Sequence, residues 1–129
     1  QAKTMINNAF GEEHILSHKE LLVNAVTNGK PSSSAYYDST VELMNELMAY
    51  GSYIFMPAND GTYIPKLNTI DKSQLVLFAL HPEFISNGDP MWLRDVISGA
   101  NFACIGSDGN ANNLGASFPT GVRAVFGMC

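Results

Sequence analysis

Between Asn101 and Gly121 the chain reads NFACIGSDGNANNLGASFPTG, with five Asn or Asp residues, four glycines and one charge. A linker has that polarity, yet Phe102, Ile105, Leu114 and Phe118 interrupt it. The flanks, MWLRDVIS before and GVRAVFGMC after, alternate in the manner of core strands. Turn residues packed this densely between strand-like flanks confine the C-terminal third to short strands joined by tight turns. Strands are expected at Trp92–Ser98, Asn101–Ile105 and Gly121–Phe126, with a turn at Asp108-Gly109.

The N-terminal two thirds read differently. Residues 1–13 look like an irregular lead-in. From His14 to Val26, Ile15, Leu16, Leu22, Val23 and Val26 recur at helical spacing, Asn28-Gly29 supplies a left-handed cap, and Pro31 blocks continuation. After a loop over Lys30–Tyr37, Ser39 stands three residues before Glu42 as in a capping box, Val41, Met44, Leu47 and Met48 share a face, and Gly51 stops a second helix. A short strand, a turn at Asp60-Gly61 and a loop are expected over Ser52–Lys66. Asp71 and Gln74 could cap a short helix through Leu80, although Leu75–Phe78 reads equally well as a strand. Two helices followed by a β-rich second half predict an α+β domain.

The chain has 129 residues, enough for one domain with its own core. With seven Lys and Arg and a formal charge of −5, it has no basic stripe for nucleic acid or an anionic membrane. No apolar run approaches the roughly 18–20 residues that span a bilayer. No signal peptide is evident, and Gln1 in place of an initiator Met is what a fragment of a longer protein would show. Cys104 and Cys129 make no disulfide framework; one bridge between them is possible, and free thiols of a protein made in the cytosol are expected.

A search for chemistry returns little. His14 and His18 have the i, i+4 spacing of a helical metal pair, but no third ligand is evident. Cys104 has no neighbouring base in the sequence, and neither a nucleophile elbow nor a P-loop is present. Asp108-Gly109-Asn110 lacks the further carboxylates of a calcium loop. Arg94, Asp95 and Arg123 are expected to form structural ion pairs or guanidinium hydrogen bonds between strands. No catalytic residue, metal site or cofactor is therefore expected, and the chain is read as a non-enzyme.

The informative feature is a gap. Lys, Glu, Gln, Met and Trp supply 20 of the 129 residues, and none falls between Ala100 and Thr120. Chance would leave such a gap on the order of a few per cent of the time. Randomising only the adenines of AAC or AAT codons reaches every amino acid except those five, and Asn survives as the unmutated relic. Asn101, Asn110, Asn112 and Asn113 fit that origin, as do Gly106, Ser107, Asp108, Leu114, Phe118 and Thr120.

The surrounding frame resembles the variable proteins of diversity-generating retroelements. Their recurring pattern of WLRDV, S-x-x-x-F-A, G-x-A, A-S and G-V-R-P-x-F is carried here by Trp92, Leu93, Arg94, Asp95, Phe102, Ala103, Gly109, Ala111, Ala116, Ser117, Gly121, Val122, Arg123 and Phe126. Ala124 stands where the family usually has proline, and Pro119 where serine is common. VELMNELMAYGSYIF, TIDKSQLVLF and HPEFI are similar to phage-type members, in which such a domain accompanies a structural, often capsid, protein.

The resemblance implies a C-type-lectin-like fold, with two helices, a small twisted antiparallel sheet and the variable residues on one exposed face. It does not imply sugar or calcium binding, since the E-P-N and W-N-D motifs of calcium lectins are missing. It also implies that Trp92, Phe102, Val122 and Phe126 anchor the sheet by burial, with Ala103, Ala111 and Ala116 in tight interior positions. The expected ligand-facing set is Ala100, Asn101, Cys104, Gly106, Ser107, Asp108, Asn110, Asn112, Asn113, Leu114, Gly115, Phe118 and Thr120. Exposure on a phage capsid or tail, facing a protein or glycan of a cell surface, is the implied role. Two alternatives stand beside it. One is a structural capsid-decoration domain without a ligand, which expects Leu114 and Phe118 to be buried. The other is an enzyme of the formylglycine-generating group on the same fold, which needs a cysteine site that Cys104 and Cys129 give no sign of forming.

Overall fold

Asn28 and Gly29, at φ of 52° and 71°, reverse the chain in a two-residue turn and set the architecture of the N-terminal half. The computed structural model describes residues 1–55 and 74–129. The turn joins β1 (His18–Thr27) to β2 (Lys30–Ser39), antiparallel from Thr27↔Lys30 to His18↔Ser39, with register shifts on either side of Ala25. The expected helix over His14–Val26 and the loop over Lys30–Tyr37 are thus both wrong. The left-handed conformation expected of Asn28-Gly29 is present, but it makes a hairpin turn instead of a helix end.

The second expected helix is also corrected. Val41–Leu43 is a short strand, β3, and α2 begins only at Glu46 and ends at Tyr50. Ser39 Oγ does donate to the Glu42 carboxylate at 3.0 Å, but the N-cap is Asn45, whose Oδ1 accepts from Met48 N at 2.7 Å. The lead-in holds a helix instead, α1 (Ala2–Phe10), whose Phe10 ring lies 5.4 Å from that of Phe126. A third short helix, α3, spans Val76–Leu80. The readings around Asp60-Gly61 and Asp71 fall outside the described residues.

The C-terminal third keeps the strands expected near Trp92–Ser98 and at Asn101–Ile105, and adds one over Ala111–Gly115. Strands β4 (Met91–Val96), β5 (Asn101–Ile105) and β6 (Ala111–Gly115) form an antiparallel sheet in the order β4-β5-β6, with Gly106–Gly109 turning β5 into β6. The last strand, β7 (Ala124–Phe126), is shorter than expected and pairs with β3 through Val41↔Phe126 and Leu43↔Ala124. Leu16 N donates to Gly127 O at 3.0 Å, and Cys129 N to His14 O at 3.1 Å, so the end of the chain is stitched to its N-terminal third.

Among the described residues the fold is α+β, with three short helices and three small antiparallel sheets. The core lies under β4 and β5. Met91 and Leu93 meet Ala103 and Ile105, and Met44, Ala49, Phe78 and Ile85 close over them. Val23 centres a smaller cluster with Leu21, Val26 and Tyr53. No described helix is long and apolar enough to cross a membrane.

Arg94 ties the two halves together. Its guanidinium reaches Glu20 Oε2 on β1 at 3.0 Å and Glu42 Oε2 on β3 at 2.6 Å, with all three side chains largely buried. Its backbone N–H donates to Met44 O at 2.9 Å. The neighbouring Asp95, also buried, accepts from the Glu46 N–H at the start of α2. Arg123 Nη1 donates to Phe84 O at 2.9 Å and Ile85 O at 3.0 Å, and its guanidinium lies 5.8 Å from the centre of the Phe78 ring.

Candidate functional site

The residues nominated as ligand-facing lie on the β5–β6 hairpin and the loop after it. The hairpin forms because Gly109, at φ 84°, takes a conformation that other residues rarely adopt, while Asp108 braces the turn by accepting from Asn110 N at 3.0 Å and Asn110 Nδ2 at 2.8 Å. Those two hydrogen bonds, the side-chain one first, hold the Asp108 carboxyl below its usual range. Two contacts from outside pin the turn. Tyr50 Oη donates to Gly109 O at 3.1 Å, and Ser86 Oγ donates to Ser107 O at 2.9 Å. Burial raises the Tyr50 hydroxyl above its ordinary range, so it stays a donor. Neither Tyr50 nor Ser86 was singled out in the sequence, and no local pattern there marks a contact so distant along the chain.

The fold does not place the thirteen residues expected to face a ligand on one face. Pairing runs Asn101↔Gly115, Phe102↔Leu114, Ala103↔Asn113, Cys104↔Asn112 and Ile105↔Ala111. Side chains alternate along a strand, so Asn112 and Leu114 share the face of Phe102, while Asn101, Asn113 and Gly115 share that of Ala103. Asn101 Nδ2 lies 3.5 Å from Asn113 Oδ1 on that second face. Ser107, Asp108 and Asn110 are exposed at the turn. Ala100 and Phe118 are exposed at the opposite end, where Ala116 N donates to Ala100 O at 2.8 Å, and Thr120 lies nearby in sequence, half-buried.

Two nominated residues are corrected outright. Cys104 is completely buried, as are Ala103 and Ile105 on either side of it. Three consecutive buried residues require cover on both faces of β5, the central strand, so Cys104 cannot face a ligand. Burial also pushes its thiol pKa up. Gly106 is buried too, and a Cβ there would lie 2.7 Å from Asp108 Oδ1 and 3.2 Å from Asn110 O. A side chain there would displace the Asp108 carboxylate that braces the turn, so Gly106 is placed with the frame.

Some expected anchors are corrected in the other direction. Val122 is 60% exposed and Ala116 is exposed, so neither fills the interior. Ala103 is buried as expected, while Ala111 and Phe126 are half-buried. Gly121 owes its place to a close approach: its N–H donates to Pro90 O at 2.9 Å, and a Cβ would stand 3.1 Å from that oxygen.

Trp92 and Phe102 are half-buried, edge to face with centroids 6.3 Å apart, and they line a broad groove instead of the core. Leu43, Leu93, Arg94 and Ala116 complete its walls, which are mostly apolar and enclose about 360 Å³. The groove opens on the face that carries Leu114 and Asn112. Sequence reasoning missed it because an aromatic on a strand next to core residues reads as core.

No protein family, curated protein or solved structure matches the chain.

The two thiols are free, Cys129 exposed and Cys104 buried. A thiol reagent at neutral pH should therefore modify one equivalent rapidly, at Cys129. The second should react only in denaturant, slower in the folded state by roughly the folding equilibrium constant, on the order of 10³ or more. Two rapid equivalents in the native state would contradict the buried position of Cys104.

Proposed function

We propose that this chain is a non-enzymatic binding domain of C-type-lectin-like fold whose C-terminal surface is diversified by adenine-directed mutagenesis. The observation that carries the reading is the gap in Lys, Glu, Gln, Met and Trp from Ala100 to Thr120, set within the Trp92–Asp95 and Gly121–Arg123 frame. The division between fixed and exposed positions supports it. Leu93, Asp95 and Ala103 are buried, and Arg94 is held by two carboxylates. Ser107, Asp108, Asn110, Asn112 and Phe118 are exposed. Substitution at exposed sites usually changes stability by less than about 0.5 kcal/mol, so such positions can vary without loss of the fold.

The groove lined by Trp92 and Phe102 gives the surface an apolar floor, and the exposed Asn, Asp and Ser residues around the hairpin offer adaptable hydrogen bonds. The exposed set lacks the Tyr, Trp and Arg side chains that usually dominate binding energy. Display in many copies on a phage particle would compensate through avidity. A protein or glycan of a host surface is the proposed ligand class. An inert decoration domain calls for Leu114 and Phe118 to be buried; Leu114 is half-buried, and Phe118, 53% exposed, speaks against that reading.

The test is deep sequencing of the gene across many descendants of one clone, together with a search for a nearby near-repeat of codons 95–125. Substitutions confined to positions that are adenine in such a repeat, and sparing codons 104 and 106, are expected. A repeat whose adenines are never substituted, or changes scattered evenly over the gene, would overturn the reading.

A further inference from the structure

We propose that His18, Glu20 and Glu42 form a divalent-metal site, with zinc the best-matched ion, on the side of the domain held by Arg94. The sequence pairs His18 with His14, but the fold places His14 in a one-turn 3₁₀ segment and brings His18 instead to two carboxylates. His18 and Glu20 lie two apart on β1 and so point to the same side, and Glu42 reaches them from β3. His18 Nε2 is 3.1 Å from Glu20 Oε1 and 3.3 Å from Glu42 Oε1, and the three atoms lie within 4.8 Å of one another.

Three observations point to a cation. The first is geometric. Zinc bonds of about 2.0–2.1 Å in a tetrahedron separate neighbouring ligand atoms by roughly 3.3 Å, which matches both imidazole–carboxylate distances.

The second is a shortage of protons. Nε2 carries at most one hydrogen, and that hydrogen cannot align with two carboxylate oxygens at once. A dication between the three atoms satisfies both oxygens and the nitrogen lone pair together.

The third is the use of the remaining oxygens. Glu20 Oε2 accepts from Arg94 at 3.0 Å, while Glu42 Oε2 pairs with Arg94 at 2.6 Å and accepts from Ser39 Oγ at 3.0 Å. Each carboxylate therefore has one oxygen oriented from behind and the other turned to the shared centre, the outer-shell arrangement that fixes metal ligands. The Arg94 charge draws the two carboxylates together and moderates their pull on a cation, so affinity on the order of micromolar is expected, well short of a structural zinc finger. His18 is partly exposed, leaving the fourth coordination position open to solvent.

The experiment uses the untagged full chain, with Zn²⁺ alone titrated in a non-coordinating buffer and followed by calorimetry and by thermal melting. One equivalent should bind and raise the melting temperature. Co²⁺ in its place should give the visible absorption of a four- or five-coordinate ion. His18→Gln keeps an N–H for the carboxylates but removes the ligand nitrogen, and should weaken binding about tenfold or more. Should that variant misfold, Glu20→Gln is expected to show the same loss. His14→Gln should bind as the wild type does. Failure of the wild type to bind at millimolar Zn²⁺ would overturn the site. So would affinity unchanged in folded His18→Gln or Glu20→Gln, or affinity lost in His14→Gln.

Discussion

Arg94→Ala is expected to cost about 3–5 kcal/mol of stability, the range found when one member of a buried charge cluster is removed. The side chains of Arg94, Glu42 and Glu20 are 13%, 11% and 22% exposed, so solvent screens this cluster far less than a surface pair. Loss of the guanidinium would leave two carboxylates facing each other with only His18 between them. It would also cut a side chain that joins β4 to both β1 and β3. In a domain whose whole stability is about 5–15 kcal/mol, much of the population would unfold near body temperature.

Two companions make the mechanism specific. Arg94→Lys should recover only part of the loss, because one ammonium cannot serve two carboxylates in the fixed geometry of the guanidinium fork. Adding Glu20→Gln and Glu42→Gln to Arg94→Ala should recover stability relative to Arg94→Ala alone, because the stranded charges are gone. Urea midpoints of the four proteins measure this. A loss below about 1 kcal/mol for Arg94→Ala would place the cluster among ordinary surface pairs, and no recovery in the triple variant would show that packing, not charge, sets the cost.

The same cluster explains what the sequence could not reveal. Ser39 and Glu42 have the spacing of a capping box, but Glu42 is taken by Arg94, 52 residues on, and the backbone extends to pair with β7. Helix propensity and capping are local and weak, and the β3–β7 pairing together with the cost of leaving Arg94 unpaired outweighs them. Ile15 to Val26 fits a helical period, and Asn28-Gly29 suits a helix end and a hairpin equally well. The choice was made by KPSSSAYYDS, whose ten residues supply a matching strand. In the C-terminal third the signals were local throughout. Alternation in MWLRDV and NFACI, with Gly109 at the turn, marked β4, β5 and the reversal after them, but not β6 or the pairing of β7 with β3, which depends on residues about 80 positions away. Within the site, the exposure of Phe118 was expected only from the resemblance, while that of Ser107, Asp108 and Asn110 was legible from polarity and turn chemistry. The burial of Cys104 was not, because it depends on β5 being the central strand, and neither was the cost of a side chain at Gly106, which depends on how tightly Asp108 folds back.

Asp95→Asn is expected to stabilise the domain at pH 8 and to remove the fall in stability between about pH 4 and 7 that Asp95 carries. Burial pushes the Asp95 carboxyl from its ordinary 3.8 up to about 7. The Glu46 N–H hydrogen bond opposes this, the Glu46 carboxylate adds to it, and the Arg94 charge again opposes. In this window the folded state holds a proton that the unfolded state has released, so stability falls as pH rises. The contribution is full below pH 4 and is lost as pH passes through 7. Three units correspond to a few kcal/mol at most, on the order of 2–4 after relaxation of the site. Asparagine keeps an oxygen to accept the Glu46 N–H and carries no charge, so the junction of β4 with α2 stays joined while the burial cost disappears. Urea unfolding at pH 5 and pH 8 separates the outcomes. The wild type should lose stability between the two, and Asp95→Asn should hold nearly level and exceed it at pH 8. If the asparagine protein is instead the less stable one at pH 8, the ionised carboxylate is itself what fastens α2 to the sheet, and the net effect of the Arg94 and Glu46 N–H contacts outweighs burial.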